Sequence, residues 1–265
     1  MRGFLAIVVL AAALTAGAVW YYHPDRRPAA PGSESVAAVA DDEWLDHLYS
    51  SNPRDSAEAA RHVEMLGADA VPIIRQALTD PQSDREHRRA ALKACTILGE
   101  IAAPAISEVA AELRRPDLTA EAALALSFLG RDAFPPLQAA LDSEAPLVRR
   151  EALRSIGKLH ERADLEGDAV VPLLVNGMQD PDAGVRAVAA TYLGILAEAP
   201  DTALPPLLAG LKDPDAEVRR ASAEALGSFE DRGPEVLPAL KRATRDRDPE
   251  VAREAGLAIV KLQGR

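Results

Sequence analysis

Apolar positions recur along this chain with the spacing of an amphipathic helix, and the helical pattern itself recurs about every 33 residues. In the segment DPDAEVRRASAEALG and the residues after it, Val218, Leu226 and Phe229 fall on one helical face. Residues 185–196 repeat this pattern one interval earlier, and residues 251–262 repeat it one interval later. A period of this length predicts stacked helical units that bury their apolar faces against their neighbours.

Three kinds of punctuation separate the predicted helices. A proline near the start of each first helix predicts where that helix begins, because its missing N–H would have no partner in the first turn. An aspartate-containing turn follows and can cap the second helix, which we expect to end near an apolar-Gly pair. The prolines are Pro72, Pro104, Pro135, Pro172, Pro205 and Pro238, and the glycines are Gly67, Gly99, Gly130, Gly157, Gly194 and Gly227.

This punctuation predicts six helical hairpins that begin near residues 70, 103, 133, 170, 203 and 236. A more divergent pair of helices, at about 41–50 and 54–66, precedes them. The chain therefore reads as an all-α protein, an α-α superhelix of about seven helical hairpins. A longer interval before the fifth hairpin predicts an extra loop at residues 160–168.

The segments DPDAGVRAVAATYLG and DPDAEVRRASAEALG resemble bacterial HEAT repeats, in particular the short type of the phycobilisome-lyase-like group. The resemblance covers roughly residues 70–265 and implies a HEAT-like solenoid whose second helices line the concave side. It also implies a ladder of hydrogen bonds between hairpins, made by a turn aspartate and an arginine that opens the second helix. The residues that match are Asp180, Arg186, Asp213 and Arg219. Ala252 replaces the arginine in the last hairpin, and the second and third hairpins also depart from the pattern, so we expect a ladder that is incomplete at both ends.

The amino-terminal segment, residues 4–22, is uncharged and long enough to span roughly 28 Å as a helix. Residues 1–22 are therefore predicted to be a transmembrane anchor, and the WYY sequence at its end suits the headgroup level. A cleaved signal peptide is the alternative, because Ala16 and Ala18 form a small-x-small site. Residues 23–40, rich in Pro, Ala, Gly and Ser, are predicted to be a flexible linker to a repeat domain at residues 41–265.

Both readings of residues 1–22 place the repeat domain outside the cytoplasm, either on a single-pass membrane protein or, after cleavage, as a secreted or periplasmic protein. Arginines on both sides of the apolar segment leave its orientation undecided. A cytoplasm-facing, membrane-tethered scaffold therefore stays open as a third interpretation.

Net charge and motif content argue against several function classes. A formal net charge of −11 disfavours nucleic-acid binding, which needs basic surface to displace counterions. The one cysteine, Cys95, reads as a buried apolar residue, and the five histidines show no metal-ligand spacing. We therefore expect no catalytic residue, no metal and no cofactor, and a chain that is not an enzyme. The resemblance leaves open an accessory or lyase-type protein that acts on a cofactor-bearing partner, although no residue here matches a catalytic role.

Surface positions of the predicted second helices form the candidate binding site. Positions two residues after each core valine, and then every fourth residue, point away from the core. We name these positions the concave row; its candidate partner-binding residues are Arg150, Arg154, Lys158, Thr191, Arg220, Glu224, Arg253 and Lys261. On so acidic a chain, a local basic row could bind an acidic or extended segment of a partner protein. The competing interpretation is a solvated face whose arginines pair with nearby carboxylates.

Overall fold

The computed structural model describes residues 42–163 and 165–264. Within these ranges the chain forms fourteen α-helices and four short 3-10 helices, with no β-strand. The predicted anchor at residues 4–22 and linker at residues 23–40 lie outside the described residues. What is described is an all-helical, HEAT-like solenoid in which the α-helices follow one another as antiparallel pairs.

Seven consecutive pairs form hairpins 1 to 7. Their helices are α1 (Glu43–His47) and α2 (Pro53–Leu66), α3 (Ala70–Thr79) and α4 (Arg85–Leu98), α5 (Ile106–Glu112) and α6 (Thr119–Leu126), α7 (Phe134–Ala140) and α8 (Pro146–Ala163), α9 (Gly167–Gly177) and α10 (Ala183–Leu196), α11 (Pro200–Gly210) and α12 (Ala216–Leu226), and α13 (Gly233–Ala243) and α14 (Pro249–Leu262).

Aspartates at the turns cap most of the second helices, as the sequence predicts. The carboxylates of Asp84, Asp182, Asp215 and Asp248 each accept a hydrogen bond from a backbone N–H in the first turn of the helix that follows. Each cap satisfies a donor that has no partner inside the helix. The turn chemistry thus fixes where α4, α10, α12 and α14 begin.

Helices α9, α11 and α13 each begin five residues before the repeated proline and three residues before the predicted start, whereas α3 begins at residue 70 as predicted. Helix α11 begins at Pro200 and contains Pro205 and Pro206, and α9 contains Pro172 in its interior. An interior proline removes one hydrogen bond to the carbonyl four residues earlier. Packing against neighbouring hairpins must stabilise these helices in place of those bonds.

The repeated glycines have two different structural roles. Gly67, Gly99 and Gly130 adopt positive φ, at 54°, 57° and 83°. Gly67 and Gly99 end α2 and α4 as expected, whereas Gly130 lies four residues after the end of α6. Gly157 instead lies six residues before the end of α8, farther inside the helix than expected, whereas Gly194 lies near the end of α10, as expected, but within the helix. A Cβ on Gly194 would lie 2.4 Å from the Cα of Ala225 on α12. Close approach of the next second helix, not chain reversal, requires glycine at this position.

The extra loop predicted at residues 160–168 is mostly helix. Helix α8 continues through Gly157 to Ala163, and α9 already begins at Gly167. The four additional residues of this interval therefore lengthen a helix, and the connection between hairpins 4 and 5 is short.

Small aliphatic side chains fill one continuous core along the described hairpins, with alanine and leucine at most of the buried positions. One described segment, Arg85–Glu112, has the length and hydropathy of a membrane span. It consists of α4, a 3-10 helix at Gly99–Ala105, and α5, with positive φ at Gly99. Since Leu92, Ala94 and Cys95 are buried in the core, this segment is explained as part of hairpins 2 and 3.

Candidate protein-interaction surface

Second helices pack against one another along the solenoid more extensively than first helices do. The series α4, α6, α8, α10, α12 and α14 makes consecutive contacts, whereas contacts among the first helices are sparser. Tighter spacing on one side of a stack bends it toward that side. The second helices therefore form the inner, concave face.

In hairpin 4 the structure places Arg150, Arg154 and Lys158 one turn apart on α8, each partly exposed. Arg150 Nε lies 3.2 Å from Glu151 Oε1, and Arg154 Nη1 lies 3.5 Å from Glu151 Oε2. Burial lowers the pKa of Lys158, and the nearby charges of Arg162 and Arg154 lower it further. The exposed face of α8 that carries these three residues is thus locally basic.

In hairpins 5 and 6 the described residues of the concave row carry no unpaired positive charge. Thr191 donates a hydrogen bond to the carbonyl of Ala187 in its own helix. Arg220 pairs with Glu217 at 2.6 Å and with Glu224 at 3.1 Å. Its hydrogen bond lowers the pKa of Glu217. The charge of Arg220 is therefore offset within α12.

Hairpin 7 repeats this neutralisation at Arg253 but not at Lys261. Arg253 Nη2 lies 2.9 Å from Glu250 Oε2, and the Lys261 ammonium donates to the hydroxyl of Ser228 at 3.2 Å. The concave row is therefore one surface but not one basic stripe. In the carboxy-terminal hairpins the arginines pair with carboxylates of their own helices, as the competing interpretation described.

The ladder arginines connect successive hairpins. Arg186 binds both carboxylate oxygens of Asp213, each at 2.8 Å, and Arg219 binds both oxygens of Asp246, each at 2.9 Å. Each guanidinium also donates to a carbonyl in the turn before its own helix, at Asp180 for Arg186 and at Asp213 for Arg219. Each arginine thus ties its own turn to the carboxylate of the next hairpin.

The ladder extends farther toward the amino terminus than the sequence indicated. Arg149 contacts Asp180 at 2.7 Å, and buried Arg88 pairs with buried Glu112 at 2.9 Å. Hairpin 2 departs from the aspartate–arginine pattern as expected, because Glu112 at the end of α5 takes the place of the turn aspartate, but Arg88 still connects hairpin 2 to hairpin 3. In hairpin 3 the hydroxyl of Thr119 takes over the turn contacts by donating to the carbonyls of Leu113 and Arg115.

The pKa values of the ladder aspartates reflect this pairing. For Asp213, burial would raise the pKa, but hydrogen bonds from Arg186 and from the Asp215 N–H hold it below the ordinary value. For Asp246, the hydrogen bond from Arg219 is the largest influence, and it also lowers the pKa. Both carboxylates stay ionised at neutral pH, so the ladder is intact there.

Cations stack on aromatic rings at two places that the sequence reasoning missed. The guanidinium of Arg162, on α8, lies 3.9 Å from the ring centroid of Phe128, and Arg89 lies 4.0 Å from that of Tyr49. The Lys93 ammonium lies 4.5 Å from the same tyrosine ring. Arg162 and Phe128 are 34 residues apart in sequence, which is about one repeat. This spacing is the feature of the sequence that could have predicted their contact.

Groups with chemical reactivity do not converge in the described part of the chain. Burial raises the pKa of the Cys95 thiol to about 12, so this thiol is not ionised at neutral pH. His47 and His62 both line a cavity of about 340 Å³ beside Trp44, and the sequence did not predict that they would be close together. Among the described residues, no three His, Cys, Asp or Glu side chains are placed to hold a metal ion.

Residues 171–260 match the family model for HEAT repeats. This range covers most of hairpins 5 to 7 and includes the Asp-Pro turns and ladder arginines of hairpins 5 and 6. Comparison with curated protein sequences gives no match.

Solved structures show the same HEAT-like fold over most of the chain. A chain in the structure of Kap95p bound to RanGDP matches with a TM-score of 0.63 and 14% identity, over 83% of this chain and 33% of that chain. YibA of Escherichia coli matches with a TM-score of 0.50 and 18% identity, over 85% of this chain and 93% of YibA. The chain thus spans about a third of the first of these and nearly all of the second.

The complex of CpcE and CpcF of phycocyanin lyase from Nostoc sp. PCC7120 also matches. The TM-score is 0.49 and the identity 24%, over 58% of this chain and 98% of the matched chain. A similarity at this level supports no argument about activity.

Proposed function

We propose that this chain is a non-enzymatic protein–protein interaction scaffold that binds a partner protein on the concave face of its solenoid. One observation carries the proposal. The second helices form an unbroken face from α4 to α14, and the concave row on that face is left out of the core. Stacked-repeat proteins recognise partners on such extended surfaces.

The chemistry of the concave row fits recognition better than catalysis. Most of its charged groups form at least partly exposed ion pairs with neighbouring side chains, which differs from the isolated environment of a catalytic acid or base. Binding of RanGDP by Kap95p, which has a similar fold, fits this interpretation.

Site-specific photocrosslinking tests the proposal. A photoreactive amino acid at Thr191 or Glu224 should capture a partner, because both positions lie on the concave face. The same amino acid at Asn176 or Ala209, exposed on the first helices α9 and α11, is the matched control and should capture much less. Equal capture from both faces, or capture from the first helices alone, would show that the concave face is not the binding surface.

Charge reversal adds a second arm to this test. Arg150→Glu combined with Arg220→Glu should weaken partner capture while leaving thermal stability nearly unchanged, since both side chains form only partly exposed ion pairs. Recovery of the same partners from the double variant at the wild-type yield argues against a role for this row.

The scaffold is further proposed to act in the cell envelope, held to a membrane by residues 4–22. The support is the uncharged length of this segment and its aromatic end. Alkaline phosphatase fused after residue 40 should be active, because the enzyme folds only outside the cytoplasm. An inactive fusion would place the repeat domain in the cytoplasm, and a mature chain shortened by about 20 residues would identify a cleaved signal.

A further inference from the structure

The concave face is electrostatically divided. In α12 and α14, Arg220 and Arg253 each pair with glutamates of their own helix. Lys93 on α4 and Lys158 on α8 form no ion pair within 4.0 Å in the described part of the chain, and the pKa of each is lowered by burial and then by neighbouring arginines. Arg162 on α8 also forms no ion pair in the described part of the chain, whereas Lys261 on α14 is the corresponding unpaired cation in the carboxy-terminal half. Unneutralised positive charge is therefore greater on the amino-terminal half of the face.

Apolar side chains lie between these cations. Helix α6 packs between α4 and α8, and it presents Leu124 with 38% of its surface exposed. Phe128 follows one turn later, partly exposed, with the guanidinium of Arg162 on its ring. Residues 93, 124 and 154 are spaced by about one repeat and occupy equivalent positions in successive second helices. The face from α4 to α8 is thus an apolar strip flanked by basic side chains. We name it the α4–α8 patch, made of Lys93, Leu124, Phe128, Arg154, Lys158 and Arg162.

We propose that the α4–α8 patch binds an extended, acidic segment of a partner protein whose apolar side chains contact Leu124 and Phe128. This inference rests on the proposed function and narrows it to one half of the concave face. Carboxylates of the segment pair with Lys93, Lys158 and Arg162, which form no ion pair within 4.0 Å among the described residues. On a chain with a formal net charge of −11, an acidic segment is repelled elsewhere, so charge complementarity directs it to this patch.

Arg89 marks one edge of the patch. Its guanidinium pairs with Glu121 at 3.1 Å and with Glu86 at 3.4 Å, so it contributes little free charge. It packs on Tyr49, a residue that is 37% exposed and whose ring is also contacted by Lys93. An aromatic side chain of the partner can contact the edge of this ring, because cations interact with the faces of a ring.

Fluorescence anisotropy of the full chain in detergent micelles tests the inference. The probe is a fluorescein-labelled peptide of alternating Glu and Phe, and the comparison peptides alternate Glu with Ser or Lys with Phe. The Glu–Phe peptide should bind tightest, and added salt should weaken its binding. Equal binding of the Lys–Phe peptide, or no binding of the Glu–Phe peptide, overturns the proposal.

A matched pair of variants locates the site. Leu124→Glu with Lys158→Glu alters the patch, and Leu257→Glu with Lys261→Glu alters the equivalent positions near the carboxy-terminal end of the same face. The first pair should weaken binding by at least about tenfold, and the second by less than about twofold. Equal weakening by both pairs of substitutions overturns the α4–α8 patch but is compatible with partner binding on the concave face. Failure of the photoreactive residues at Thr191 and Glu224 to capture a partner, with peptide binding still located at the patch, contradicts the proposed function instead.

Milder substitutions guard against misfolding. Leu124→Ala with Lys158→Gln introduces no negative charge and should still weaken binding by several-fold, with the helical circular dichroism of the wild type. Wild-type affinity in this variant, with retained helicity, overturns the proposal.

Discussion

Two adjacent arginines on α12 have opposite structural surroundings. Arg219 is 5% exposed and joins the turn of hairpin 6 to Asp246 of hairpin 7. Arg220 points to the concave face and pairs only with glutamates of its own helix. The same type of residue therefore contributes to stability at position 219 and to surface chemistry at position 220.

Replacing each arginine with methionine separates these roles. Arg219→Met should lower the free energy of unfolding by about 3 to 5 kcal/mol, because it leaves the Asp246 carboxylate and two turn carbonyls without their partner. Arg220→Met removes exposed ion pairs and should cost less than about 1 kcal/mol. Urea denaturation of both variants measures the difference, and equal midpoints would mean that the ladder adds no stability.

Residue-scale features were predictable from sequence only where they follow a local rule. The aspartate caps of α10 and α12 could be read from turn composition, and the pairing of Arg220 with residues three before and four after it follows helix geometry. The stacking of Arg162 on Phe128 could not, since it depends on how closely α8 approaches the end of α6.

At the scale of elements, the spacing between second helices depends on single glycines. Gly194 brings the backbone of α10 so close to α12 that an added Cβ would lie 2.4 Å from the Cα of Ala225. Gly157 likewise makes room for the ring of Tyr192. The sequence showed these glycines at the repeat period but could not show their purpose, because the atoms that require them belong to the next hairpin.

Alanine substitution tests this role. Gly194→Ala should destabilise the protein by roughly 1 to 3 kcal/mol, since the contact is with backbone and no side-chain rotation can relieve it. Gly256→Ala on α14 is the matched control, because an added Cβ there meets nothing within 4 Å. It should stabilise by about 0.5 to 1 kcal/mol through helix propensity alone.

Thermal unfolding followed by circular dichroism measures both glycine variants. Opposite shifts of Tm are expected, downward for Gly194→Ala and upward for Gly256→Ala. A downward shift for both would point to a general intolerance of helix changes and away from close packing at Gly194.

Across the whole repeat domain, each hairpin packs mainly on the hairpins before and after it. The number and order of the hairpins could be predicted from the 33-residue period, because every unit must bury its apolar face against a neighbour. The uneven distribution of unpaired cations along the concave face could not. This distribution depends on which carboxylates, from the same helix or from a neighbouring helix, lie close enough to pair with cations such as Lys158 and Arg220.

Nearest-neighbour packing predicts that damage spreads locally. Leu193 is 1% exposed on α10, so Leu193→Asp places an unpaired charge in the core between hairpins 5 and 6, at a cost of several kcal/mol. Hydrogen exchange should then accelerate first in α9 to α12, while α3 and α4 keep most of their protection. Ile195→Asp, two residues away and 52% exposed, is the control and should leave exchange nearly unchanged. Equal acceleration from α2 to α14 would instead show that the described hairpins unfold as a single cooperative unit, since only then would a local charge be felt equally by distant hairpins.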